Sequence, residues 1–372
     1  MALSAEAGDR EAARRPRQLV HVVILNWNGW LDTVECLESV AKSGSPDFCA
    51  VVVDNGSADG SCERIAAWAR TAGPDGSPLR LVSYDRFVAE RGGAPESERE
   101  LGLLPGARKL VLVRCEENLG FAGGCNVGIR YALAAGGGYV WLLNNDTVVD
   151  GAALGASVAF LEAHPEYEGL TGQIRYHGEP GTIWNCGGRL TVTGSRRYHH
   201  ADRPIAEVPP HGHRDITFIT GCAPFLRASL FERVGLLSDR FFYGEEDYEL
   251  SLRLKRRGLR LACLYDAVVY HKVGRSISVA SGGRSLPMVY IFYLNRFIDL
   301  RRYWPEALWR LWRLAAFLYI CPLVRVRHRA SWGEVWRLRR ALLRDSARLD
   351  RVSGETFQRA MGAEFAGDVL GR

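Results

Sequence analysis

Four short, largely apolar runs mark the first 150 positions: Leu19-Val-His-Val-Val-Ile-Leu25, Ala50-Val-Val-Val53, Leu110-Val-Leu-Val113 and Tyr139-Val-Trp-Leu-Leu143. They are rich in β-branched residues and short for a core helix, and three of them run straight into polar turn residues, so they predict buried strands. Helical spacing of apolar positions follows the first run over 30–42 and the second over 59–70. A glycine-bearing loop at 118–124 leads into a further helix that reaches Ala135. Unbroken apolar strands alternating with helices predict an α/β fold with a parallel sheet covered on both faces and right-handed connections. The stretch 73–108 interrupts this rhythm; its glycines, prolines and charges predict a surface insertion.

Beyond Asp146 the pattern changes. A helix is expected over 152–163, hairpin character over 171–192, a polar loop over 199–214 and a strand over 216–219. Helices then fit 229–234 and 245–257, and a strand fits 267–270. From Leu286 onward the chain reads as helical, with tryptophan, tyrosine and arginine intermixed. The first 18 residues lack the apolar centre of a secretory signal and predict a disordered tail.

Composition narrows the classes. An apolar fraction of 47% with 24% charge excludes collagen-like, mucin-like and wholly disordered chains. The length of 372 residues allows one large domain or two smaller ones. The net charge of +6 is unevenly placed: between Arg301 and Arg340 stand ten arginines against Glu306 and Glu334. Nine cysteines with no CxxC spacing predict reduced, mostly buried thiols in a cytosolic protein rather than a disulfide or zinc framework. No run reaches the ~18 apolar residues of a membrane span. The nearest, 314–324, contains Pro322 and is flanked by arginines.

In an open parallel sheet, ligands bind beyond the carboxyl ends of the strands. Asn26 and Asn28 follow the first strand, Asp54 and Asn55 the second, and Asn144, Asn145 and Asp146 the fourth. The first strand ends in NWNG, not the GxGxxG of a dinucleotide site, and no GxxxxGK[ST] loop occurs. Glu245, Glu246 and Asp247 are three consecutive carboxylates beside the apolar Phe241-Phe-Tyr243. Such acids repel one another unless a cation, helix amides or water hold them, and they suggest a cleft with a poised base.

These ordered motifs together resemble glycosyltransferase family 2, the inverting transferases of GT-A fold. The resemblance covers about 20–276 and rests on Val23-Ile-Leu-Asn-Trp-Asn-Gly29, Val52-Val-Asp-Asn-Gly-Ser57 and Asn118-Leu-Gly-Phe-Ala-Gly-Gly124. It continues through Leu142-Leu-Asn-Asn-Asp-Thr147, Gly221-Cys-Ala-Pro-Phe-Leu-Arg227, the stretch 241–253 and Val269-Tyr-His271. Within that family the chain looks most like the bacterial rhamnosyltransferase-like branch of cell-surface polysaccharide synthesis. The resemblance implies a Rossmann-like, mostly parallel sheet over 19–276 and a basic, aromatic-rich helical region over 277–372. It implies a nucleotide site at Asn26, Asn28, Asp54, Asn55, Gly123, Asn126, Asn144 and Asn145. Asp146 matches the last aspartate of the family's metal motif, and Asn144 replaces the first, with the loss of one charge. His271 would be a further ligand of Mg²⁺ or Mn²⁺. Asp247, with Glu246 beside it, would be the catalytic base.

The implied reaction moves a sugar from a nucleoside diphosphate, first L-rhamnose from dTDP-rhamnose and second a sugar from a uridine-diphosphate donor, to a hydroxyl of a glycan or lipid-linked acceptor. Aromatic and arginine residues around the apolar run 314–324 suggest contact with an anionic membrane surface. The expected location is therefore cytoplasmic or peripheral on the inner face of the cell membrane. No nucleic-acid motif accompanies the arginines. The alternatives are a nucleotidyltransferase, whose glycine-arginine loop is missing after the first strand, and a degenerate GT-A module that binds nucleotide or membrane without turnover.

Overall fold

A computed structural model describes residues 19–43, 47–71, 73–273 and 286–362. The expected tail 1–18 and the boundary at 276–277 lie outside the described residues. The chain starts with β1 (Val20–Asn26), α1 (Trp30–Ala41), β2 (Phe48–Asp54), α2 (Ser61–Thr71) and β3 (Arg80–Asp85). Two short helices, α3 (Arg86–Ala89) and α4 (Pro95–Gly102), precede β4 (Lys109–Arg114), α5 (Gly120–Ala134) and β5 (Tyr139–Asn144). Then come β6 (Thr147–Val149), α6 (Ala153–Ala163), β7 (Tyr167–Tyr176), β8 (Ile183–Asn185), β9 (Gly188–Leu190), β10 (Arg196–Tyr198) and β11 (His213–Ile216). β12 (Pro224–Arg227), α7 (Ala228–Val234), α8 (Glu246–Arg256) and β13 (Arg260–His271) complete the α/β part. Four helices follow: α9 (Leu286–Tyr303), α10 (Glu306–Arg327), α11 (Trp332–Arg348) and α12 (Gly354–Met361).

The main sheet runs β11-β13-β7-β12-β5-β1-β2-β4-β3. From β5 to β3 all pairings are parallel. β12 then lies antiparallel to both β5 and β7, and β13 is parallel to β7. Alternate residues feed two cores, as the pleat demands. Val51, Val53, Val111 and Val113 join the core under α5. Ala50, Val52, Leu110 and Leu112 join the one under α1 and α2. Helix α5 approaches β1 closely because a side chain at Gly124 would strike Leu25, and one at Gly128 would strike Val23. The eight cysteines from Cys36 to Cys263 are buried, Cys321 is partly so, and all nine are free thiols.

Several expectations change. The stretch 73–108 is no mere decoration, because it supplies β3, which pairs in parallel with β4 at the sheet edge. Arg80, Ser83 and Asp85 of β3 are exposed, so no unbroken apolar run announces it. The strand expected at 216–219 is displaced to His213–Ile216, and β12, unexpected from the pattern, sits in mid-sheet although it starts with Pro224. Proline is tolerated at the first residue of a strand. The expected strand 267–270 is the second half of β13, which shifts register between Leu264 and Val268.

The C-terminal helices share a core built on Ile291, Leu294, Phe297, Phe317, Ile320, Leu338 and Leu342. Phe241 and Val352 belong to it too, so this core reaches the segment that precedes α8. One sequence expectation fails here. α10 is 22 residues long and, by length and composition, is apolar enough to cross a membrane despite Pro322, although 22% of its apolar window is buried.

Candidate active site

The carboxyl ends of β1, β2 and β5 carry the expected polar residues, but these divide into two groups. Asn26 and Asp54 are buried and bonded to each other, with Asn26 Nδ2 donating to Asp54 Oδ2 at 2.7 Å. Thr33 Oγ1 donates to Asn26 Oδ1 at 2.7 Å, and the Ser57 amide donates to Asp54 Oδ1 at 3.0 Å. Asn28 is exposed, with its amide donating to Ser57 Oγ at 2.9 Å and its Oδ1 accepting from the Ala58 amide at 2.8 Å. Together these bonds tie the two strand-end turns into one platform. Asn55 opens on the cleft and fixes the next loop: Nδ2 donates to Asn118 Oδ1 at 2.9 Å and to the Gly120 carbonyl at 3.1 Å.

Two expectations on α5 do not hold. Asn126 is buried and exchanges two bonds with the Leu237 backbone, at 2.9 and 3.0 Å. Both ends of its amide are thus occupied away from the cleft, so it is a tether and not a nucleotide contact. Gly123 lies in the first turn of α5, where Gly120 and Phe121, rather than it, line the cleft. The glycine-bearing turn admits a backbone closely, but the backbone is the protein's own. Gly120 has φ +76°, a side chain there would strike Phe242, and the Phe121 amide donates to the Phe242 carbonyl at 3.0 Å.

The turn after β5 and the end of β13 meet. Asp146 Oδ1 and His271 Nε2 stand 3.1 Å apart, both buried, with Trp184 edge-on to the imidazole at 4.5 Å. Burial lowers the imidazolium, but the neighbouring Cys222 and Asp146 outweigh it and push His271 up to about 10. Without a metal the added positive charge is therefore a proton on the imidazole, and a divalent cation would have to displace it before His271 could ligate. Adjacent ligands of an octahedral ion at ~2.0–2.1 Å are separated by about 3 Å, so the spacing suits a shared divalent cation. The buried Oδ1 of Asn144 has no hydrogen-bond partner and lies on the same turn. Among the described residues no group of three His, Cys, Asp or Glu converges. One carboxylate and one imidazole fit Mg²⁺ or Mn²⁺ only where substrate oxygens and water complete the shell, which is how Mg²⁺ is commonly bound.

Glu246 and Asp247 open α8, with Glu249 in the same first turn and Arg253, Lys255 and Arg256 in the last, an arrangement that complements the helix dipole. Asp247 Oδ1 accepts from Arg196 Nη1 at 3.2 Å, and its Oδ2 faces the Gly221 amide at 3.4 Å. Burial, then the Asp247 charge beside it, pushes the Glu246 carboxyl up to about 8. Its Oε2 is buried without a partner.

Asn55, Asn144, Asn145, Asp146, Glu246 and Asp247 all line one cleft of about 760 Å³. The sequence reading missed its aromatic walls, Trp27, Trp184, Tyr198, Phe292 and Phe357, and it missed Arg196. Arg196 sits on a three-residue strand with no periodic signal, and only the fold shows that it faces Asp247.

Residues 99–282 match the family model described as glycosyltransferase like family 2. An uncharacterised protein of Mycobacterium tuberculosis is 26% identical over 229 residues, covering 60% of this chain and 76% of that protein. The O-antigen biosynthesis protein RfbC of Myxococcus xanthus is 30% identical over 151 residues, 38% of this chain but only 11% of that protein. The crystal structure of GalNAc-T7 with UDP, GalNAc and Mn²⁺ superposes with a TM-score of 0.52 at 13% identity, covering 96% of this chain and 59% of that one. That likeness concerns the fold, a mixed sheet whose parallel half carries the cleft at its carboxyl edge. With the family match over 99–282, it gives this chain a glycosyltransferase family 2-like domain on a GT-A fold.

Proposed function

We propose that this glycosyltransferase moves a sugar, first L-rhamnose from dTDP-rhamnose, from a nucleoside diphosphate to an acceptor hydroxyl with inversion at the anomeric carbon. The observation that carries this reading is that Asp146 and Asp247, on opposite elements of the fold, line the same cleft. Asn55 and Trp27, carried on the platform that the buried Asn26 and Asp54 build with Ser57, would face the nucleobase and ribose. Asp146 and His271 would hold Mg²⁺ or Mn²⁺ against the diphosphate. A divalent cation there supplies charge stabilisation for the departing diphosphate without a proton transfer.

Asp247 accepts the proton of the attacking hydroxyl, a role typically worth ~10²–10⁴ in rate. Arg196 holds one carboxylate oxygen and leaves the other near the Gly221 amide, which orients the base towards the cleft. A single base of this kind implies one displacement and inversion. Glu246, kept largely protonated, would offer a hydrogen-bond donor beside that base rather than a second negative charge.

The acceptor would be a glycan or a lipid-linked saccharide, and the RfbC likeness supports a cell-surface polysaccharide. Peripheral contact with anionic lipid is supported by α10. Leu308, Leu311, Leu318 and Val326 are half-exposed or more, whereas Trp309, Phe317, Ile320 and Val324 are buried. At ~3.6 residues per turn these sets occupy opposite faces of the helix. Arg310, Arg325 and Arg327 lie on the same helix, and Trp332 and Trp336 are exposed on the next. An apolar face with flanking arginines and tryptophans suits the headgroup region of a bilayer.

The test is a panel of nucleotide sugars with Mn²⁺, Mg²⁺ or EDTA, on the wild type and Asp146→Ala. Metal-dependent binding and turnover of one donor, lost in the variant, is expected. Binding of no donor under any metal condition would favour the non-catalytic GT-A module instead.

A further inference from the structure

We propose that Arg296, on α9 of the C-terminal bundle, is a positioning residue for the catalytic carboxylates at the start of α8. It grips both residues that flank the Glu246–Asp247 pair. Its Nε and Nη2 both donate to the carboxylate of Glu245, the latter at 3.2 Å. Its guanidinium carbon lies 3.3 Å from the ring centre of Tyr248. The remaining nitrogen, Nη1, donates to the Gly194 carbonyl at 2.6 Å. Gly194 is in the turn between β9 and β10, and β10 carries Arg196, the partner of Asp247. One buried guanidinium therefore ties together the two segments whose side chains meet at Asp247.

The held segment needs holding. Glu245 has φ +79°, a left-handed conformation that a non-glycine residue adopts only under constraint from its surroundings. Asn295, next to Arg296, donates to the carbonyl of Tyr243 at 2.9 Å. The Phe242 amide donates to Val352 at 2.9 Å, and the Val352 amide to Arg240 at 2.8 Å, which attaches the same segment to the far end of the bundle. Stability alone is a poor explanation for the central ion pair, since a buried pair often contributes little beyond an apolar pair of equal volume. A bidentate, stacked arginine instead fixes direction, which lysine does not reproduce.

The inference rests on Asp247 being the base of the proposed transfer, and it makes the C-terminal helices part of the catalytic apparatus. The experiment compares full-length wild type with Arg296→Lys and with the charge-free pair Glu245→Gln/Arg296→Met, which removes both members of the buried ion pair together. Melting temperature, donor binding, kcat, donor KM and backbone hydrogen exchange are measured. The charge-free pair is expected to fold and to bind donor within about twofold of wild type, while kcat falls roughly 10²-fold, the scale of an ångström-sized misplacement. Exchange should rise at residues 241–248 and stay unchanged in β1 and β5. Arg296→Lys should recover part of kcat. Wild-type kcat, unaltered exchange at 241–248, or parallel loss of donor binding and kcat would each overturn the proposal. If the wild type transfers no sugar, the transferase reading fails, and the exchange data still decide whether Arg296 holds the segment.

Discussion

Asp247 and Asp299 show how differently two carboxylates behave in one fold. Asp247 has a guanidinium on one oxygen and an amide near the other, and it faces the cleft. Asp247→Asn keeps the shape and removes the proton acceptor. We expect donor affinity to be retained and turnover to fall ~10²–10⁴-fold, read by calorimetry and steady-state kinetics. Near-normal turnover would exclude Asp247 from the mechanism. Asp299 is wholly buried on α9, and neither of its oxygens has a hydrogen-bond partner. Burial, then Glu245 just before α8 and Glu249 on it, raises its carboxyl well above the usual range, while Arg296 and Arg302 on its own helix only moderate this. The folded value exceeds the unfolded one, so its contribution is complete below about pH 4 and declines as pH rises. Asp299→Asn should therefore gain on the wild type in melting temperature between pH 4 and pH 8. Parallel curves for the two proteins over that range would contradict this.

Among the elements, α5 and β1 form a close joint beneath the site. The glycines at 124 and 128 allow it, and the sequence offered them only as part of a turn and a helix of unknown partner. Gly128→Val would place its side chain against Val23 and Val53. Overpacking of this kind costs about 1–3 kcal/mol, so a lower denaturation midpoint with an unchanged slope is expected. Elements announced by period or by unbroken apolar runs were legible: β1, β2, β4, β5 and helices α1, α2 and α8. β3 and β12 were not. An edge strand with three exposed polar residues, and a four-residue strand opened by proline, have no local pattern that separates them from loop.

For the whole molecule, the question is what the four C-terminal helices contribute. They share a core with Phe241 and reach the cleft with Phe292 and Phe357. Their outer face is the exposed apolar stripe of α10. If it rests on lipid, Leu311→Glu/Leu318→Glu should abolish co-sedimentation with anionic phosphatidylglycerol vesicles while leaving donor binding intact. Both positions are strongly exposed, at 67% and 82%, so folding should be unaffected. Equal sedimentation of variant and wild type would remove this face from any membrane contact.

The sequence by itself determined the alternating α/β plan, the polar strand ends and the acidic start of α8, because each depends on neighbours within a few positions. It also carried the family resemblance, through motifs whose order along the chain needs no coordinates. The tertiary structure decided which of those residues share a cleft. Asp146 and His271 are 125 positions apart and meet because β6 pairs with the end of β13. Asn126, equally polar, is turned away because α5 presents it to the Leu237 backbone. Arg196 has no local signature at all, and Arg296, which with Tyr290, Tyr293 and Asn295 resembles a pattern often seen just after the catalytic domain in this family branch, gives no local sign of its partner. Their roles depend on bonds spanning 51 positions each, to Asp247 and Glu245, and a long-range pairing of buried charges is fixed only when the elements carrying them pack.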